Sequence, residues 1–142
     1  MKINESLGFV LGVTSRKLKH HLMDILKEYN LTTSQWSVLK LLCEKDNMTQ
    51  VEIAKNFKTD KMTIGGVVDK LISKNLIERK RSATDRRSYY VYILDEGKRI
   101  VSIIEKYATE INEKALSGFT ESEVEQFKLY LDRINKNFEE WD

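Results

Sequence analysis

Apolar residues recur at helical spacing from the start of the chain: Leu7, Leu11, Leu18, Leu22, Ile25 or Leu26, and Tyr29. Steps of three and four residues put side chains on one helical face, so this pattern predicts a first helix over about 6–29. Trp36, Leu39 and Leu42 with Cys43 repeat the spacing and predict a second helix over about 33–45. Ahead of it, Thr32 and Gln35 have the spacing of a capping box, in which each side chain accepts from the other's main-chain N–H. Thr49 and Glu52 form a second box before the short helix TQVEIAKNF, which buries Val51 or Ile53, together with Ala54 and Phe57. A four-residue break, KTDK, leads into MTIGGVVDKLISKN. There Ile64, Val67 or Val68, Leu71 and Ile72 form the apolar face of a fourth helix. Asn75 ends it, since Asn tolerates the left-handed conformation used at helix C-termini.

The period then changes from helical to alternating. LIERKR and SYYVYIL are rich in β-branched and aromatic residues and flank a turn-like SATD. This predicts a hairpin with about 76–81 paired to 88–94. Asp95 is expected to cap a fifth helix carrying Ile100, Ile103 or Ile104, Tyr107, Ile111 and Leu116 on one face. Thr120 and Glu123 make a third capping box. Beyond it, Val124, Phe127, Leu131, Ile134, Phe138 and Trp141 alternate steps of three and four, a heptad seam. Such a seam wants a partner helix along its length, either the first helix or a second copy of the chain.

A chain of 142 residues is long enough for one domain with a real core and no disulfide or metal staple. The sequence has no Pro and six Gly, which favours long unbroken helices. One cysteine excludes an internal disulfide and fits a reducing compartment. The opening apolar run is too short for a signal peptide or membrane span, so the expected location is the cytoplasm, with no membrane partner. The net charge of +2 hides an asymmetry. Residues 1–104 hold 19 Lys and Arg against 12 Asp and Glu, whereas residues 105–142 hold 5 against 10. Either one part of the molecule meets a polyanion, or the charges are ordinary solvated faces.

The order of elements favours the polyanion. Two short helices joined by a tight turn can present the N-terminal end of the second to the major groove of DNA. A hairpin follows directly, and its segment 78–87, ERKRSATDRR, carries five Lys and Arg against two acids. Extended arginines at a hairpin tip suit a narrow, electronegative minor groove. Arg79, Lys80 and Arg81 would suit phosphates, which supply affinity and its salt dependence.

The stretches LTTSQWSVLKLL, MTQVEIAKNF, VVDKLISKNLIERKRSATDRRS and LDEG resemble the MarR family of bacterial regulators. With the flanking helices, the resemblance extends over nearly the whole chain. It implies a mainly α fold with a small β-hairpin wing: a winged helix-turn-helix on a helical dimerisation frame. It implies one domain, in which 1–30 and 98–142 form the frame and 31–97 the DNA-binding lobe. The expected function is sequence-specific binding of double-stranded DNA by a homodimer, as an effector-responsive repressor on a pseudo-palindromic operator. Leu7, Leu11, Phe127, Leu131, Ile134 and Phe138 fall in the implied dimer interface. Lys58, Thr59, Lys61, Met62 and Thr63 fall in the groove-facing region of the fourth helix. Asp60, beside them, has the competing role of helix cap. Asp85 and Arg87 match the family's Asp-x-Arg wing motif, in which the Asp orients the minor-groove Arg, and Arg86 adds a second charge at the tip. Two departures stand out. Gly65-Gly66 occupies positions where relatives carry base-reading side chains, and Asp95 stands where they usually have Thr.

Relatives also bind small aromatic ligands between frame and lobe. His21, Tyr29, Trp36 and Tyr107 are candidates for such a cleft, against the alternative that they are core aromatics. Cys43 reads as a small buried hydrophobe rather than a redox sensor, because the family's peroxide-sensing branch has its cysteine near the first helix, where this chain has Val10 and Gly12. His20 and His21 point about 100° apart on a helix and do not chelate one metal readily. No metal, cofactor or catalytic spacing is present, so no enzyme is expected. The alternative function is a winged-helix protein-interaction module with weak or lost DNA binding, motivated by the two glycines.

Overall fold

The computed structural model of the protein describes residues 1–141. A 3-10 turn, Ile3–Glu5, leads into α1 (Leu7–Glu28). There follow α2 (Thr33–Glu44), β1 (Met48–Thr49), α3 (Gln50–Asn56) and α4 (Lys61–Ser73). The chain continues through β2 (Ile77–Arg81), β3 (Tyr89–Ile93), α5 (Asp95–Ala115) and α6 (Glu121–Trp141). All three capping boxes form, with Thr32–Gln35, Thr49–Glu52 and Thr120–Glu123 exchanging side-chain to main-chain hydrogen bonds of 2.9–3.3 Å. Asn75 has φ of 60°, the left-handed conformation that stops α4 two residues earlier.

The fifth helix starts differently from the sequence expectation. Leu94 occupies its N-cap position without a side-chain bond, and Asp95 is the first helical residue. Asp95 and Glu96 instead place negative charge in the first turn, against the positive end of the helix dipole.

The hairpin pairs Ile77 with Ile93, Arg79 with Val91 and Arg81 with Tyr89. A third strand, unforeseen from the sequence, completes an antiparallel sheet of order β1-β3-β2, with Met48 opposite Val91. Asp46 ties this corner down by accepting from the Ile93 N–H at 3.0 Å.

One core joins the helices of the lobe to the sheet and the first half of α5. Leu39, Leu42, Met48, Ile53, Val68, Leu71, Val91 and Ile104 are sealed from solvent in it. Several apolar positions lie outside it. On α1 only Leu26 is buried; Leu18 is exposed, as are Leu7 and Leu11, the two residues expected in the dimer interface. On α3 Ile53 turns inward and Val51 outward, and Phe57, at the helix end, is exposed. Cys43 is exposed rather than buried. Helix periodicity places it one residue round from Leu42, on the edge of the apolar face, and neighbouring protein atoms still push its thiol pKa up, away from the reactive thiolate. No residue of α6 is buried.

Candidate nucleic-acid interface

The geometry begins at the turn between α3 and α4. Lys58 has φ of 51°, which bends the chain sharply enough to set the two helices at an angle. Asp60 then caps α4: its carboxylate accepts from the Thr63 N–H at 2.7 Å and the Thr63 hydroxyl at 2.9 Å. Its role as cap is therefore satisfied locally. These bonds hold the Asp60 pKa below the ordinary carboxylate value. A lowered folded-state pKa stabilises the helix start above the unfolded value, and that contribution is lost as pH falls through the lowered one.

The first turn of α4 presents Lys61, Met62 and Thr63 to solvent, with Thr59 exposed just before it. Lys58 is not free. Its ammonium donates to Glu139 at 2.7 Å, linking the turn to the far end of α6 in the same protomer. The carboxylate raises the Lys58 pKa by accepting this hydrogen bond.

The wing residues divide into two groups. Arg79 faces inward: Nη2 donates to Asp69 on α4 at 2.9 Å and to Gln50 on α3 at 2.7 Å. It braces the wing against both helices and is committed to the protein rather than to phosphate. The next two cations lie over aromatic rings, Lys80 at 4.8 Å from Tyr92 and Arg81 at 5.5 Å from Tyr89, with Arg81 also donating to the Tyr89 hydroxyl at 2.9 Å. Their charges remain exposed.

At the tip, Asp85 accepts from the Arg87 main-chain N–H at 2.9 Å and from the Ser88 hydroxyl at 3.3 Å. Ser82 Oγ accepts from the Thr84 and Asp85 N–H groups, both at 3.2 Å. The carboxylate thus orders the loop backbone rather than gripping the Arg87 guanidinium. Arg86 and Arg87 project into solvent, and among the described residues neither forms an ion pair.

Between α3, α4 and the wing lies an open groove of about 680 Å³ that Gln50, Lys61, Gly65, Arg79 and Arg87 help to line. The two glycines play different parts. A Cβ at Gly65 would sit 3.3 Å from Gln50 Nε2, whereas one at Gly66 would meet nothing within 4 Å. The groove has a mixed polar and apolar lining that includes the cations Lys61, Arg79 and Arg87, which suits a polyanion better than a purely apolar ligand.

A second cleft, of about 540 Å³, opens between α1 and α5. His21 and Tyr107 line it, joined by Leu18 from the apolar stripe of α1 and by Thr14 and Glu110, which carry no signal in the sequence pattern. Tyr29 and Trp36 do not belong to it: Trp36 is buried in the core and Tyr29 packs against that core. The spacing of aromatic residues gave no means of separating the two pairs.

The expected interface residues lie on the outside of the frame. Leu7 and Leu11 are exposed on α1, as are Phe127 and Phe138 on α6, while Leu131 and Ile134 are half-buried. Phe138 stacks on Trp141 with ring centroids 5.9 Å apart. Among the described residues no group of three or more His, Cys, Asp or Glu could hold a metal ion, and no helix is long and apolar enough to cross a membrane.

Comparison with known proteins agrees with this architecture. The model of the MarR family matches residues 31–89, which run from the start of α2 to the beginning of β3. The HTH-type transcriptional regulator MhqR of Bacillus subtilis (strain 168) is 32% identical over 132 residues, covering 92% of this chain and 90% of its own length. The crystal structure of the transcriptional regulator SlyA superimposes with a TM-score of 0.83 at 30% identity, over 92% of each chain. Staphylococcus aureus MepR, in a complex with DNA, has the same fold, with a TM-score of 0.86 at 24% identity over 93% of this chain and 98% of its own. On the strength of its sequence and of the six helices and three-stranded wing among the described residues, the chain belongs to the MarR family of helix-turn-helix transcriptional regulators.

Proposed function

We propose that the protein is an effector-responsive repressor that binds a pseudo-palindromic operator as a homodimer. Residues 31–97 form the DNA-binding lobe, and 1–30 with 98–142 form the dimerisation frame. The observation that carries this reading is the pairing of an exposed α4 N-terminus with the free arginines of a braced wing. In this reading α4 enters the major groove, with Lys61, Met62 and Thr63 leading, and Arg86 and Arg87 enter the adjacent minor groove. Lys80 and Arg81 track the phosphates. The spacing between the two lobes follows from the frame. A small aromatic ligand in the cleft between α1 and α5 would act by binding one lobe spacing more tightly than another, since only differential affinity shifts such an equilibrium.

The test is fluorescence anisotropy of the protein with a duplex from upstream of its own gene, against a scrambled duplex, at several salt concentrations. Tighter binding to the upstream duplex with a steep salt slope supports the reading. A protein-interaction module, the reading that Gly65-Gly66 favours, would show no salt-dependent association with either duplex.

Two variants sharpen the test. Arg87→Ala is expected to weaken binding by about 1–3 kcal/mol, the value of one well-engaged groove contact. Unchanged affinity would remove Arg87 from the interface. Glu139→Gln releases Lys58 from its intramolecular partner. The expected result is a log–log salt slope steeper by about one, as Lys58 becomes a phosphate contact. A slope equal to that of the unmodified protein would show that Lys58 does not reach the backbone.

A further inference from the structure

We infer that Met62 is a specificity-determining residue that reads the C5-methyl group of thymine in the operator half-site. The inference rests on the proposed placement of α4 in the major groove and adds what that helix recognises there.

Met62 is 87% exposed, on the first turn of the helix. An apolar side chain held so fully in water gains most from any surface that covers it. Nothing on its own helix does so. In a helix a side chain leans toward the N-terminus and covers the turn before it. The residue placed to lean over Met62 is Gly66, which has no side chain and open space around it.

Two polar side chains close to Met62 on α4, Thr63 and Asp69, are engaged elsewhere. Base edges in the major groove are told apart by hydrogen bonds or by apolar contact with the thymine methyl. The Thr63 hydroxyl donates to Asp60, and its main-chain N–H is bonded there too. Asp69, which shares a face with Met62 and Gly66, accepts from Arg79. Gly65 and Gly66 offer no donor or acceptor beyond their backbone. Lys61 is left as the one flexible cation of this turn. Met62 is thus the one large apolar side chain exposed on α4, and the base feature that an apolar side chain distinguishes in the major groove is the thymine methyl. Positive charge on the same turn and on the groove beside it, from Lys61 and Arg87, favours a polyanion as the occupant over an apolar protein segment.

The test begins with selection of binding sequences from a randomised duplex library by the unmodified protein. In the selected duplex, each thymine is then replaced singly by deoxyuridine, which removes the methyl group and keeps the base pair. At one position per half-site, affinity is expected to fall by about four-fold, as for one buried methyl. Met62→Ala and Met62→Gln are then expected to bind thymine and deoxyuridine duplexes equally at that position. Both variants change a solvent-exposed side chain and leave the core untouched. Full affinity of the unmodified protein for every deoxyuridine duplex overturns the thymine reading while leaving DNA binding intact. The same holds if the loss persists undiminished in both Met62 variants. Failure to enrich any sequence overturns sequence-specific binding itself, and the thymine reading with it.

Discussion

Leu131→Asp is expected to convert the proposed dimer to a monomer in light scattering, with a loss of affinity for the proposed operator of about 10²–10⁴-fold. The seam on α6 is the reason. Val124, Phe127, Leu131, Ile134, Phe138 and Trp141 face one way along the helix, yet no α6 residue is buried within the protomer. Leu131 lies near the middle, so a carboxylate there would be desolvated in the pairing of two frames, at a cost that apolar contact does not offset. Two linked lobes make the second half-site contact an intramolecular event, and a monomer forfeits that advantage. The lobe should stay folded, because its core takes nothing from α6. Thermal unfolding of the variant should therefore remain cooperative. A variant that stays dimeric would move the interface elsewhere, and one that dimerises poorly but binds DNA as before would end the two-site reading.

Gly97→Ala is the second large effect, this time on stability. Gly97 sits in the first turn of α5, directly against the hairpin. A Cβ there would run into the Leu76 carbonyl and lie 2.7 Å from Ile93 Cγ1. The carbonyl cannot withdraw easily, since it accepts from the Leu94 N–H at 3.0 Å. Alanine normally gains about 1 kcal/mol over glycine in a helix interior. Here overpacking should reverse the sign and give a net loss of about 1–3 kcal/mol in denaturant titration. Gly66→Ala is the internal control: with open space around it, it should match or exceed the stability of the unmodified protein. Protomer concentration must be held fixed, because the stability of the proposed dimer depends on it. A neutral or stabilising Gly97→Ala would show that the hairpin shifts to make room.

Much of this architecture could be read in the order of residues, for local reasons. Capping boxes at Thr32, Thr49 and Thr120 act within four residues, and the left-handed stop at Asn75 needs only its own backbone. The wing was legible because its period differs from that of its neighbours. Other features depend on residues far apart in sequence. Two-residue β1 has no alternation to detect and exists because Met48 meets Val91. Arg79 looks like its basic neighbours until Asp69 and Gln50 are placed beside it. Trp36 and Tyr107 have similar chemistry, but one lies on the inner face of α2 and the other on the open side of α5. Acids are common at helix caps, so local sequence favours Asp95, whereas Leu94 takes that position with its backbone alone.

The brace from Arg79 to α3 and α4 also bears on operator architecture. It fastens the hairpin to the helix beside it, so in the proposed complex the two groove contacts of one lobe keep a fixed phase along the duplex. Inserting one base pair between the bases under α4 and the minor-groove segment under the wing turns one contact away from the other by roughly 34–36° of helical twist. A rigid lobe cannot follow that rotation. Within a half-site the spacing of the two elements should therefore be invariant among natural operators, and length variation should be confined to the centre of the palindrome, where the dimer frame, rather than the Arg79 brace, sets the distance.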